Sequence, residues 1–207
     1  MGKHLTIMQL NNNYWVFENA LPYRICDYIL KHGNSKKEKL ATVASISDIT
    51  LNDKSVEKLK KTRNSKVVWL DYSWIYREIH YWLNLANQNA GWNFQWNSSE
   101  SCQFTKYCGD EKQHYDWHVD SAPAPNEMGL IRKLSMSVAL VDGNEYEGGD
   151  FEINDLSPKK NKIHKIKALR KKGSIVVFPS FVWHRVTPVT KGTRYSLVSW
   201  HLGSPYL

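Results

Sequence analysis

From Gly91 onward the chain is a series of short runs rich in aromatic and β-branched residues, broken by clusters of Gly, Pro, Asn and Asp. Such punctuation marks strands joined by turns. Strands are expected near 92–96, 101–107, 114–118, 133–141, 150–154, 163–168, 174–178, 182–187 and 194–201. Glu147-Gly-Gly-Asp150 turns between two of them, and Lys172-Gly173 precedes another. Almost no helical periodicity interrupts the series. An alternating parallel fold is therefore disfavoured, and an antiparallel barrel or sandwich with helices packed outside is expected.

Upstream the pattern differs. A short strand is expected over 12–19, and Leu21-Pro22 opens a helix to about His32, with Ile25, Ile29 and Leu30 inward and Gly33 ending it. Residues 34–66 are polar and poorly periodic, read as loops around one short helix near 55–62; such a segment could act as a mobile lid. Asp71 to Asn87 is the clearest helix. Trp74, Ile75, Ile79, Trp82, Leu83 and Ala86 recur at three- and four-residue spacing and read as core. The fold class is therefore mainly β with N-terminal helices. At 207 residues, without repeat or linker, the chain reads as one domain: helical support over 1–90 and a β core over 91–203. Nine Trp, eleven Tyr and 42% hydrophobic residues are ample for a core and exclude a disordered chain.

Cys26, Cys102 and Cys108 are odd in number and irregular in spacing, so they read as free thiols in a reducing compartment. Residues 1–10 lack the apolar region of a signal peptide, and no stretch approaches the ~18 apolar residues of a membrane helix. A soluble cytoplasmic protein with no membrane partner is expected. The net charge of +8 suits nucleic acid, acidic proteins or phosphorylated ligands. Much of it is local: Lys36, Lys37 and Lys39 cluster, and Lys159 to Lys172 holds eight Lys or Arg interleaved with Ile163, Ile166 and Leu169. This second run reads as a solvated loop and an edge strand shielded by lysines. A nucleic-acid groove would call for accessible aromatics or a reading motif beside the charge.

The chemistry concentrates in Gln113-His-Tyr-Asp-Trp-His-Val-Asp120. His118 and Asp120 stand two apart, so they share one face of an extended strand. They offer a metal two ligands. A third candidate, His184, lies 64 residues on, among Phe178, Phe181, Val182 and Val186. Two His and one carboxylate with open positions form the facial triad of non-haem Fe(II) oxygenases. Ten residues beyond His184 come Arg194 and, on the same strand face, Ser196: a planar cationic fork beside a hydroxyl, suited to a carboxylate. A metal site alone does not require that pair, whereas a dicarboxylic cosubstrate would.

On these residues the sequence resembles the Fe(II)/2-oxoglutarate-dependent dioxygenases, in particular the prolyl 4-hydroxylase-like and related bacterial and phage hydroxylases. The matching stretches are Tyr107, Tyr115-Asp-Trp-His-Val-Asp120, Leu140 through Phe151, Lys172 through His184, and Arg185 through Trp200. The match covers roughly 100–202, with weaker similarity through the 71–87 helix. The resemblance implies a double-stranded β-helix, or jelly-roll barrel. It implies Fe(II) on His118, Asp120 and His184, and 2-oxoglutarate with its distal carboxylate on Arg194, helped by Ser196 and Tyr107. It further implies O2 as cosubstrate, ascorbate as reductant, and release of succinate and CO2. The substrate it implies is a peptide or protein residue, foremost proline. Tyr115, Arg132 and Trp200 match positions that hold peptide in prolyl hydroxylases; otherwise they read as two core aromatics and a surface ion pair.

Two departures stand out. Tyr107 and Tyr115 are eight apart where the family often has six, and Arg194 replaces the Lys of many prolyl hydroxylases. One alternative is a nucleic-acid dealkylase of the same superfamily, which usually carries a second arginine six residues after the first; Trp200 stands there. The other is a catalytically silent jelly-roll binding module, which has no need of intact ligands. His80, His114, His164 and His201 are read outside the ligand set, and Cys102 and Cys108 as packing.

Overall fold

The computed structural model describes residue 10 and residues 12–42, 53–157 and 160–206. The N-terminal part carries β1 (Trp15–Phe17), α1 (Tyr23–Asn34), β2 (Lys39–Leu40), α2 (Asp53–Thr62), β3 (Arg63–Asn64), β4 (Lys66–Leu70) and α3 (Ser73–Asn89). Then follow β5 (Ser98–Ser99), β6 (Cys102–Cys108), β7 (His114–His118), β8 (Ile131–Ala139), β9 (Tyr146–Gly148), β10 (Phe151–Ser157) and β11 (Lys160–Lys165). After a 3-10 turn at Lys167–Arg170 come β12 (Ile175–Pro179), β13 (His184–Val186) and β14 (Val189–Gly203).

The strands form two antiparallel sheets. The larger runs β1-β12-β8-β14-β6-β4-β2, with β5 and β9 also paired to β14; the smaller runs β11-β10-β13-β7-β3. Period-two alternation sorts the larger sheet's residues into two cores. Ile175 and Val177 on β12, Leu197 on β14, Phe104 on β6 and Met136 on β8 join Ile29 of α1 and Ile75, Ile79 and Leu83 of α3. Each of those fully buried α3 side chains contributes roughly 1.5–3 kcal/mol of apolar burial. On the opposite face, Val176, Phe178 and Tyr107 meet Phe151, Ile153 and Val186 of the smaller sheet. The helices thus back one sheet, and the inter-sheet face is left for a cavity.

Several expectations change. Residues 92–96 form no strand. The amides of Trp92 and Asn93 donate to the Asn87 carbonyl, that of Phe94 donates to Asn87 Oδ1, and Asn93 sits at φ 51°. This aromatic run wraps the end of α3 instead of pairing. Gly33 does not end α1; it lies buried inside it, and a Cβ there would meet the Phe104 ring at 2.5 Å. Residues 34–66 are more ordered than their polarity suggests. β2 pairs with β4, β4 with β6, and β3 with β7, so this stretch extends both sheets. Residues 43–52, the middle of the suggested lid, lie outside the described residues. The lysine-rich β11 is the edge of the smaller sheet, as expected, but it ends at Lys165. β14 is longer than expected, running from Val189 to Gly203 with His201 buried within it. Among the described residues, no helix is long and apolar enough to cross a membrane.

Candidate functional site

β7 and β13 are neighbours in the smaller sheet, and their register sets His118 directly opposite His184. Asp120 lies two residues past the end of β7. Its position is fixed from the backbone, because the amides of Asp120 and Ser121 both donate to the Ser180 carbonyl. His118, Asp120 and His184 thereby present ligand atoms that all lie within 4.8 Å of one another. His118 Nε2 stands 3.8 Å from Asp120 Oδ1, and His184 Nε2 3.6 Å from Oδ2.

Three features suit this cluster to a divalent cation. Each imidazole Nδ1 lies against a backbone carbonyl, Asp116 O at 2.7 Å and Val182 O at 3.0 Å. Nδ1–H donation there leaves both Nε2 lone pairs facing the carboxylate. Burial, reinforced by His184, pushes His118 down to about 3, so its imidazole is neutral and ready to ligate at pH 7. Burial alone would raise the Asp120 carboxyl, but His184, His118 and Arg132 outweigh it and hold the group below its usual range. Third, Asp120 Oδ2 is buried with no hydrogen-bond partner. A buried anionic oxygen left this way is costly unless a cation satisfies it.

The cavity beyond this cluster, roughly 420 Å³ counting the open solvent at its mouth, is walled by both sheets. Its long wall is β14, where Arg194, Ser196, Val198 and Trp200 alternate inward. Opposite them on β6 stand Tyr107, Thr105 and Gln103, in register with Arg194, Ser196 and Val198. Arg194 is 2% exposed, donates to Ser196 Oγ at 3.2 Å, and has its guanidinium 5.4 Å from the Tyr107 ring centre. It makes no ion pair with any described residue. Burial raises the Tyr107 phenol against the pull of Arg63 and Arg194, so it stays a protonated donor.

Eight of the nine residues singled out in the sequence line this one cavity: His118, Asp120 and His184, then Arg194, Ser196 and Tyr107, then Tyr115 and Trp200. Tyr115 lies flat on the His118 ring, with centroids 3.4 Å apart and planes 14° apart, and burial pushes its phenol up to about 12. Trp200 is 5% exposed, and its Nε1 is buried without a partner. Arg132 stands apart. Its guanidinium holds Glu100 at 2.8 and 2.5 Å, donates to Asp120 O at 3.3 Å and lies over the Trp200 ring at 4.2 Å. It braces two cavity residues from behind. Sequence reasoning missed Arg63, Gln103, Thr105 and Ser137, which also line the cavity. For Gln103 and Thr105, the alternation of β6 with Tyr107 was an available signal.

Residues 102–202 match the model of the 2OG-Fe(II) oxygenase superfamily. A PKHD-type hydroxylase of Nitrosomonas europaea is 40% identical over 94 residues, covering 44% of this chain and 38% of that protein. Another, from an Azoarcus species, is 45% identical over 94 residues with the same coverage. The chain thus spans about two-fifths of the length of these curated relatives. In three dimensions it is similar to a Pseudomonas putida prolyl-4-hydroxylase, with TM-score 0.67 and 19% identity over 92% of this chain and 93% of the other. It is also similar to a Trichoplax adhaerens prolyl hydroxylase solved with a hypoxia inducible factor peptide fragment, with TM-score 0.62 and 18% identity over 92% and 84%. Residues 102–202 are thus similar in sequence to the 2OG-Fe(II) oxygenase superfamily, and over nearly its whole length the chain shares the fold of the two prolyl hydroxylases.

Proposed function

We propose that the chain is a single Fe(II)- and 2-oxoglutarate-dependent dioxygenase domain, its two sheets forming a jelly-roll, that hydroxylates a peptidyl residue, foremost proline. The observation that carries this reading is a pair of unmet charges facing one cavity: the orphaned Asp120 Oδ2 and the buried Arg194, which has no acid among the described residues. A divalent cation answers the first and a carboxylate the second. When bound, Fe(II) with 2-oxoglutarate and O2 supplies the oxidising chemistry that yields succinate, CO2 and a hydroxylated product.

The chain's own residues bind, orient and exclude. His118, Asp120 and His184 hold the metal, with both imidazoles aimed by their Nδ1–carbonyl bonds. Arg194 takes the distal carboxylate of 2-oxoglutarate through charge-assisted hydrogen bonds, with Ser196 and the Tyr107 hydroxyl completing the cradle. Phe151, Phe178 and Val186 keep water from the metal side of the cavity. At the other end of β14, the unpartnered Trp200 Nε1 supplies a donor for a substrate carbonyl. Tyr115 gives that end an aromatic wall, and Arg132 holds Trp200 in place. Ascorbate would serve as the reductant that keeps iron ferrous.

The test is direct. Purified protein with Fe(II), ascorbate and O2 should convert 2-oxoglutarate to succinate, and His184→Ala should abolish the conversion. Turnover surviving that substitution would defeat the enzyme reading. For the substrate, mass spectrometry of proline-containing peptides after incubation should show the gain of one oxygen atom on proline. Its absence from every proline would defeat the prolyl assignment alone.

A further inference from the structure

The cavity holds a second guanidinium that the scheme above does not use. Arg63, on β3, is 8% exposed and lines the cavity. Its partners are all neutral: Nη1 donates to Thr42 O at 2.9 Å, Nε to Ser65 Oγ at 3.3 Å and Nη2 to Gln103 Oε1 at 2.5 Å. A guanidinium has five N–H donors, so two remain free. It makes no ion pair with any described residue. Its guanidinium lies over the Tyr115 ring at 4.4 Å. The His118 imidazole covers one face of that ring at 3.4 Å, which leaves Arg63 the other.

Its position separates it from the Arg194 cradle. Arg194 is level with Tyr107 on β6, whereas Arg63 is bonded to Gln103, four residues along the strand and level with Val198, toward Trp200. Four strand residues put about 13 Å between the backbones of Tyr107 and Gln103. The Tyr107 phenol bridges the interval and feels both cations. The charges do not close. Among the described residues that line the cavity, Asp120 is the one acid, and Arg63 and Arg194 are the guanidinium groups. With a divalent ion and a dicarboxylate cosubstrate in place, one positive charge is left over. It sits on Arg63.

We propose that Arg63 is a substrate anchor, and that the peptide it serves carries a carboxylate beside the residue to be hydroxylated. This rests on the peptidyl hydroxylase reading above. The net charge of +8 favours the same ligand class, by drawing acidic chains toward the protein. Arg63 also ties β3 to β6 through Gln103, so the test needs a readout that a structural tie would not move. That readout is discrimination between a carboxylate and its neutral amide.

Immobilised Mn(II)-loaded protein with 2-oxoglutarate, kept anaerobic so that nothing turns over, is offered pools of short proline-centred peptides. The pools differ only in whether the flanking positions are Asp/Glu, Asn/Gln or Lys/Arg. Retained peptide is quantified by mass spectrometry, and succinate release in air is a second readout. The acidic pool should be retained about tenfold better than the amide pool, the size of one charge-assisted contact, with the basic pool last. Arg63→Gln should remove the preference while weakening 2-oxoglutarate far less than an Arg194 variant does, and Arg63→Lys should keep most of it. Equal retention of acidic and amide pools by the unaltered protein would overturn the proposal, whether or not the variants fold. So would a preference undiminished in Arg63→Gln, or a loss of 2-oxoglutarate binding matching that of an Arg194 variant. Retention of no pool would overturn it too; conversion of 2-oxoglutarate to succinate by the same preparation would show that the oxygenase reading stands.

Discussion

Replacing Arg194 by Met separates what this residue does for the fold from what it does for a ligand. The side chain is 2% exposed, its one hydrogen bond goes to Ser196 Oγ at 3.2 Å, and it pairs with no described acid. Met fills a similar volume and removes a buried charge that nothing in the empty cavity neutralises. Swapping buried ionic groups for apolar ones of like size is often neutral or stabilising. Leaving the Ser196 hydroxyl unpartnered costs about 1 kcal/mol. The metal-free, ligand-free variant should therefore unfold in urea within about 1 kcal/mol of the unaltered protein. A guanidinium–carboxylate contact through two charge-assisted hydrogen bonds is worth roughly 1.5–3 kcal/mol per bond, so 2-oxoglutarate should bind about 10²- to 10⁴-fold more weakly. Titration calorimetry into Mn(II)-loaded protein measures this, and a parallel Mn(II) titration should move less than about threefold, since Arg194 touches no ligand atom. A loss of more than about 2 kcal/mol in the ligand-free protein, or metal and 2-oxoglutarate affinities falling together, would refute the reasoning.

Asp120→Asn should weaken Mn(II) or Fe(II) binding by at least about 100-fold and should lower the metal-free melting temperature modestly, because His184, His118 and Arg132 favour the carboxylate in the folded protein. Gly33→Ala gains helix propensity, yet its methyl would stand 2.5 Å from the fully buried Phe104 ring, so a net loss of about 1–3 kcal/mol in urea denaturation is expected. A neutral result would mean that the ring can retreat. Burial, with His80 nearby, pushes His201 down to about 3. Its folded value therefore lies below the ordinary ~6.5, the unfolded chain binds the extra proton, and stability should fall as pH drops from about 6.5 toward 3. The slope from this group is about 1.4 kcal/mol per pH unit, and His201→Gln should flatten the urea-melt profile by that amount.

Strand alternation explains why so much of the site is legible in the sequence. His118 and Asp120, or Arg194, Ser196 and Trp200, are spaced by two or multiples of two, so one chain segment discloses which side chains share a wall. The register of β7 against β13 and of β14 against β6 then brings the walls together. What escapes is set by partners distant in sequence. The aromatic run 92–96 has strand composition, but Asn87 supplies its amides with acceptors and removes the need for a ladder. Gly33 reads as a helix stop until Phe104, on β6, is known to occupy the space its missing side chain leaves. Arg63 lies in a polar stretch upstream of the residues that carry the family resemblance. Only the pairing of β3 with β7 reveals that it faces the cavity.

The two halves of the site depend on different levels of structure. His118 and His184 are paired across β7 and β13 of the smaller sheet, while Asp120 is held by backbone bonds to Ser180 O, just past β12 of the larger. Arg194, Ser196 and Tyr107 belong to β14 and β6 of the larger sheet. They meet the metal ligands only because the layer containing Val176, Phe178, Phe151 and Ile153 packs the sheets together. The imidazoles are aimed by their own neighbouring carbonyls, whereas the distance from carboxylate fork to metal is a property of inter-sheet packing. A chelating dicarboxylate must satisfy both at once. It therefore bridges the sheets and is stabilised by their spacing. Arg63 extends this division, since β3 belongs to the smaller sheet yet hydrogen-bonds Gln103 of the larger. The guanidinium that awaits an acidic substrate is thereby also a tie across the cavity that the substrate would enter.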